Sequence, residues 1–200
     1  MKQVAALLFV ILTLTAGSLF ADQIFPDSYT ATPGEVGSWT YYDDTGTQLT
    51  DSVLGSDVWY ADLGMGPAYE WVGWLYTDPT IVFSFGGPVN LTSVSIGFNR
   101  TEGPSAIYLP LTVDIDGTLF TLTGNELADG TRGFLSFPIA FSGSSLTIKL
   151  ADNDDQRWIF VDEIEFNGAR IPEPGTILLT LSGAAVLWAV RRRRLARHRS

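Results

Sequence analysis

The chain has 200 residues, 46% hydrophobic and only 17% charged, a composition that fits one or two small globular domains and excludes an intrinsically disordered protein. It has no cysteine, and its single histidine is His198 in the last three residues, so disulfide scaffolds, thiolate metal sites and histidine-dependent triads are excluded from the body. Between Asp22 and Arg170, 21 carboxylates face five basic residues (Arg100, Arg132, Lys149, Arg157 and Arg170), a net of −16 that repels phosphate backbones and argues against nucleic acid as a partner.

In chain order, Met1-Lys2-Gln3, the apolar run Val4–Leu14 and the small residues up to Ala21 predict a secretory signal peptide over residues 1–21. Cleavage after Ala21 starts the mature chain at Asp22. Leu19 is large for the −3 position, which leaves cleavage after Gly17 or Ser18 open. The competing reading is a membrane anchor, for which the run falls short of the ~20 residues a span needs.

Residues 22–170 then read as one all-β domain. Trp59, Tyr60, Tyr69, Trp71, Trp74 and Tyr76 crowd into eighteen residues punctuated by Gly64, Gly66, Pro67 and Gly73. Such rings either build core or present faces that stack on sugar C–H groups. The odd spacing of Trp71 and Trp74 forbids a shared strand face and predicts that at least one points outward. Ile81, Phe83 and Phe85 alternate with Val82 and Ser84, and Gly86-Gly87-Pro88 ends the run; Val94, Ile96 and Phe98 mark a second strand. Leu111, Val113 and Ile115 lead through Asp116-Gly117 into Thr118–Thr123, a hairpin with a primed turn. Leu146, Ile148 and Leu150 make another strand, and Trp158–Phe166 the last. Short strands at this spacing, with recurrent Gly, Pro and Ser and no internal repeat, predict a β-sandwich.

Three carboxylate sets stand out. Asp114 and Asp116, two apart beside a turn, share a sheet face. Asp152, Asp154 and Asp155 form an oxygen-rich loop suited to a hard cation, without the EF-hand spacing. Asp162 falls with Trp158, Phe160, Ile164 and Phe166 on the apolar face, where a carboxylate must be hydrogen-bonded, metal-bound or neutral, unless a bulge turns it outward. Glycoside hydrolysis needs only two carboxylates, but no pair is marked by its spacing, so the body is expected to be non-enzymatic.

Residues 171–200 begin with Ile171-Pro172-Glu173-Pro174-Gly175, where two prolines hold an extended backbone that a protease can grip. Apolar residues 177–190 follow, marginal for a bilayer span, and then Arg191-Arg192-Arg193-Arg194, which places the arginines in the cytoplasm and the body outside. This order resembles the PEP-CTERM sorting signal; Leu195–Ser200 is a longer trailer than such signals carry. The resemblance implies processing by an exosortase, transient anchoring through residues 177–190, and a destination at the cell surface or in the matrix of a bacterium that makes exopolysaccharide.

The body resembles, over roughly Asp43–Gly168, a galactose-binding-like, discoidin-type jelly roll. The resemblance lies in Leu49-Thr50-Asp51-Ser52, a Trp-containing strand at Trp59, the Ile81–Phe85 and Val94–Phe98 strands, the Pro-bearing Tyr108–Val113 and the closing Trp158–Ile164. Ser52 stands where that family commonly has glycine. The resemblance implies a non-catalytic binder of carbohydrate or another surface ligand, with a structural calcium near Glu163 and the Asp51 loop. The expected function is therefore a secreted, lectin-like protein that associates with exopolysaccharide. A structural matrix or adhesion protein without a defined sugar is the alternative, and a small glycoside-active enzyme the third reading.

Overall fold

The computed structural model describes residues 22–35, 40–60, 70–103, 107–151 and 157–172, together with residues 183 and 188. The expected signal peptide 1–21, Tyr69, the Asp152, Asp154 and Asp155 loop, Glu173, Pro174 and Arg191–Arg194 lie outside the described residues. The chain divides into two units, Met1–Ala169 and Arg170–Ser200. Of the second, Gly183 and Trp188 are described and helical. Among the described residues no helix is long and apolar enough to cross a membrane.

The first unit is all-β among its described residues. Its strands are β1 (Asp22–Ile24), β2 (Ser28–Ala31), β3 (Val72–Leu75), β4 (Thr80–Arg100), β5 (Thr112–Ile115), β6 (Thr118–Thr121), β7 (Thr131–Ala151) and β8 (Trp158–Arg170). They form one sheet in the order β1-β8-β4-β7-β5-β6, with β2 also on β4 and β3 also on β8. Every pairing between strands whose register is described is antiparallel.

The sheet folds over on itself because β4 and β7 are long and bent. The two strands expected on either side of Gly86-Gly87-Pro88 are one strand, β4. Its ladder with β7 slips between Ser84 and Val89 and again between Leu91 and Ser93. Pro88 has no N–H to donate. Gly86 adopts φ 63°, and a Cβ there would lie 2.0 Å from Asp27 Oδ2. The residues that looked like a stop signal therefore make a corner, as strands do where they pass from one layer of a sandwich to the other. The first half of β4 pairs with β2 and the end of β7, the second half with the beginning of β7. Across the space between, the Phe166 ring of β8 meets Phe83 at 4.8 Å and Phe85 at 5.2 Å. Ile81, Val94, Ile96, Phe98, Val113, Leu146 and Ile148 complete this main core.

The β5–β6 hairpin has the expected turn, with Asp116 at φ 49° and Gly117 at φ 86°. Asp116 occupies the turn itself, while Asp114 Oδ1 accepts the Gly117 N–H at 2.7 Å. The strand expected at Trp59 is absent: residues 57–60 are turn, and the Trp-bearing strand is β3 with Trp74. Sequence patterning missed β1, β2 and the first half of β7. The first two are three and four residues long. In β7, Phe137 is the one buried side chain before Leu146, and Gly133, Pro138 and Gly143 interrupt the run. Proline is tolerated there because, among the described strands, this half pairs on one side alone.

Candidate functional site

The aromatic stretch divides in two. Trp74 belongs to the main core, and its Nε1 donates to Thr32 O at 2.8 Å. Trp71 belongs to a second, smaller cluster with Tyr41, Ile107 and Phe160, flanked by Trp59 and Trp158. Ile159 and Val161 face the main core while Phe160 faces this second cluster, so the second cluster covers the other face of β8. The odd spacing does separate the two indoles. Neither points outward, however, because both faces are covered: Trp71 is 0% and Trp74 1% exposed. Gly55 closes over Trp71, and a Cβ there would lie 2.3 Å from the indole. Trp59 is half-buried against Tyr41 and Phe160. Tyr60 and Tyr76 remain at the surface, 65% and 59% exposed.

Tyr76 lies at a junction. The β3–β8 ladder ends at Leu75 and Trp158, so the chain leaves β3 at Tyr76 beside the entry to β8 at Arg157. Tyr76 adopts φ 60°, the left-handed region that suits glycine. The Arg157 guanidinium stands 4.5 Å over the Tyr108 ring, and the Tyr108 N–H donates to Trp158 O at 3.0 Å. Tyr108, Arg157 and Trp158 are each half-buried. Sequence reasoning read Tyr108 and Trp158 only as strand pattern and passed over Arg157. The available signal was an aromatic two residues before Pro110, and an Arg-Trp pair closing an acidic loop.

Two adjacent carboxylates lie buried at β8. Val161 and Ile164 both line the main core, so the alternation slips by one residue across Asp162 and Glu163, as at a bulge. Asp162 is ion-paired to Arg132, with Nε at 2.7 Å and Nη2 at 3.1 Å, and accepts the Gly55 N–H at 2.8 Å. Burial pushes its carboxyl up, against the pull of Arg132 and Gly55. Glu163 accepts the Ser52 N–H at 2.8 Å, and the Ile164 N–H donates to Leu49 O at 2.8 Å. These three residues clamp the segment 49–55 onto β8. Ser52 has φ 67°, which explains why glycine is the residue expected there. Burial raises Glu163 to about 7; the Ser52 N–H opposes the rise, and Asp51, Asp162 and Glu165 reinforce it.

Of the expected calcium ligands, Asp51 and Glu163 are described, and the Asp152, Asp154 and Asp155 loop lies outside the described residues. Among the described residues no group of three acidic or histidine side chains could hold a metal. Asp51 Oδ1 accepts the Val53 N–H at 2.9 Å, and Asp162 is committed to Arg132. Asp51 and Glu163 still repel each other at the clamp, a situation that a divalent cation relieves. A calcium ion there would draw on those two carboxylates and otherwise on main-chain carbonyls of the loop.

No family model matches the chain, and no curated protein matches it. Solved structures with a similar strand layout include carbohydrate-binding modules and lectins. The CBM32 of AlyQ, in complex with 4,5-unsaturated mannuronic acid, is 13% identical over 72% of this chain and 97% of that one, TM-score 0.46. A fucolectin from striped bass (Morone saxatilis) serum is 16% identical over 74% of this chain and 48% of its own, TM-score 0.46. The C-terminal domain of a chitobiase from Bacteroides fragilis is 10% identical over 76% and 100%, TM-score 0.43.

Proposed function

We propose that the chain is a secreted, non-enzymatic β-sandwich protein that associates with exopolysaccharide through the rim where β3 ends and β8 begins. The observation that carries this reading is Tyr76. A large ring is held in a left-handed backbone and left exposed, one residue after Leu75, whose β8 partner is the half-buried Trp158. Neither cost serves the core, and backbone strain of this kind gathers at functional positions. The ring faces suit pyranose C–H groups, and the phenols suit hydroxyls. The buried carboxylates argue against hydrolysis, since Asp162 and Glu163 are engaged beneath the Ser52–Gly55 loop. A calcium ion at Asp51 and Glu163 would brace that loop.

The wild-type protein should be retained on immobilised exopolysaccharide, and Tyr76→Ala should elute freely at an unchanged melting temperature. A wild type that elutes freely overturns the reading. The exposed Val53 and Leu54 on the clamped segment, with Val58 and Tyr60 just beyond it, favour the adhesion alternative; self-association without glycan retention would establish it.

Export and sorting belong to the same proposal. Pro172-Glu173-Pro174, the apolar residues 177–190 and Arg191–Arg194 are read as a tail cut by an exosortase, after which the body is released to the cell surface or matrix. The intact mass of the released protein should correspond to a chain that ends before Ser200. A released chain that retains Ser200 contradicts sorting.

A further inference from the structure

The segment clamped onto β8 has a fixed main chain, yet several of its apolar side chains face water. We propose that Val53, Leu54 and Val58 form a docking surface for a basic polypeptide, whose apolar side chains cover these three while its lysines and arginines meet the surrounding carboxylates. The inference stands apart from the rim and from glycan binding.

The main chain of this segment is anchored every two or three residues. Leu49 O, the Ser52 N–H and the Gly55 N–H are each held by β8 at 2.8 Å. Further on, Asp57 O accepts Asn99 Nδ2 at 3.1 Å, and Asp57 Oδ1 accepts the Arg132 N–H at 2.8 Å. Asn99 and Arg132 belong to β4 and β7, so three strands hold the segment. Within it, the Val53 N–H donates to Asp51 Oδ1 at 2.9 Å and Ser56 Oγ to Val58 O at 2.9 Å. Val53, Leu54 and Val58 are nevertheless 44%, 49% and 43% exposed. Apolar side chains scattered singly over a surface need no explanation, but half of the large ones exposed among the described residues fall within residues 53–60. A backbone already fixed by the fold spares a partner the entropic cost of ordering it.

The chemistry of this surface selects the partner. Aliphatic side chains offer a sugar no ring face to stack on and no group to bond its hydroxyls. They suit the apolar centre of an interface between polypeptides. From Gln3 to Asn99 the sequence has no lysine, arginine or histidine, whereas Asp22–Asn99 carries ten carboxylates. Exposed Asp51 and Asp57 stand three residues to either side of Leu54. Arg132, whose N–H holds Asp57, has its guanidinium on Asp162 and leaves the charge of the segment uncompensated. A second copy would bring the same acidic surface, and an anionic membrane its phosphates, so both are repelled. A basic polypeptide is drawn to the surface and can then bury its apolar centre.

The probes are three synthetic peptides of equal length, with leucine alternating with lysine, serine with lysine, and leucine with glutamate. They are titrated calorimetrically into the wild-type protein at pH 7 in EGTA. The leucine–lysine peptide should bind about tenfold more tightly than either of the others, and more weakly as salt rises. Leu54→Ser and Val58→Ser, made separately so that one folded variant suffices, should each remove most of its advantage over the serine–lysine peptide at an unchanged melting temperature. Both side chains are exposed, so neither substitution opens the core. Undiminished binding by a folded variant overturns the inference, as does equal binding of the leucine–lysine and leucine–glutamate peptides. The wild type should sediment as a monomer. A dimer that Leu54→Ser dissociates would give the surface to a second copy and overturn the basic partner. Retention on exopolysaccharide is read separately and should be the same in wild type, Leu54→Ser and Val58→Ser, so failure here leaves the rim reading untouched.

Discussion

Asp162 and Glu163 are consecutive residues, buried on one strand and capped by one loop, yet they answer the problem of burial differently. Asp162 is 0% exposed and has a guanidinium against it in addition to a main-chain N–H. Glu163 is 2% exposed and has a main-chain N–H with acidic neighbours. One carboxylate has a cationic partner that pulls against the effect of its burial. The other is held in a place that favours its proton, or a cation in the proton's stead. The difference shows that burial alone does not decide the charge of a carboxylate; what fills the remaining lone pairs does.

The comparison breaks most sharply at Arg132. Arg132→Met should cost about 3–5 kcal/mol in denaturant unfolding, because it leaves the Asp162 charge buried without a partner. The double variant with Asp162→Leu should recover most of that loss. A single variant as stable as the wild type would show that the pair is not the anchor of the clamp.

At Glu163 the comparison becomes a dependence on pH and calcium. The folded value of about 7 lies above the ordinary carboxylate value of the unfolded chain. Below the ordinary value both states carry the proton and nothing is lost. As pH rises towards 7 the unfolded chain ionises first, so stability falls across that window and levels off above it. In EGTA, Glu163→Gln should flatten the fall. Saturating calcium should flatten it in the wild type and add about 2.7 kcal/mol at a hundredfold excess over Kd. A melting temperature indifferent to calcium and chelator across this range would exclude the cation.

The smallest effect belongs to the loop over both carboxylates. Ser52→Gly relieves a left-handed serine and should raise stability by about 0.5–1 kcal/mol, seen as a small upward shift in melting temperature. No shift, or a fall, would mean that the serine side chain contributes more than its backbone costs.

The parts of this molecule legible in the sequence are those in which local pattern and tertiary environment agree. The β5–β6 hairpin is an example, since Asp116-Gly117 encodes its own turn. Alternation also located Ile81–Phe85, Val94–Phe98 and Leu146–Leu150 as strand segments. It did not show that Gly86-Gly87-Pro88 bends a strand without ending it, because the decision depends on Asp27 and on a ladder with residues more than fifty positions away. For the aromatics, parity was readable and exposure was not. Trp71 and Trp74 occupy opposite faces, but a second layer of loop residues around Tyr41 covers the face that would otherwise be open. The contact of Arg157 with Tyr108 was not readable, because the two lie 49 residues apart and only the fold joins them.

The bent pair of long strands also bears on how the chain acquires its structure. The β4–β7 ladder joins Arg100 to Thr131 at one end and Thr80 to Lys149 at the other, so its loops lengthen steadily as it zips towards the corner. At the extreme, β1 pairs Asp22 with Gly168, the first strand of the body with the last. Closing such loops carries an entropic cost before the contacts repay it, which makes folding slow relative to a helical domain of this size. The layer cannot be sealed until the final strand has emerged. A chain that matures from its far end in this way remains threadable for as long as it is being made.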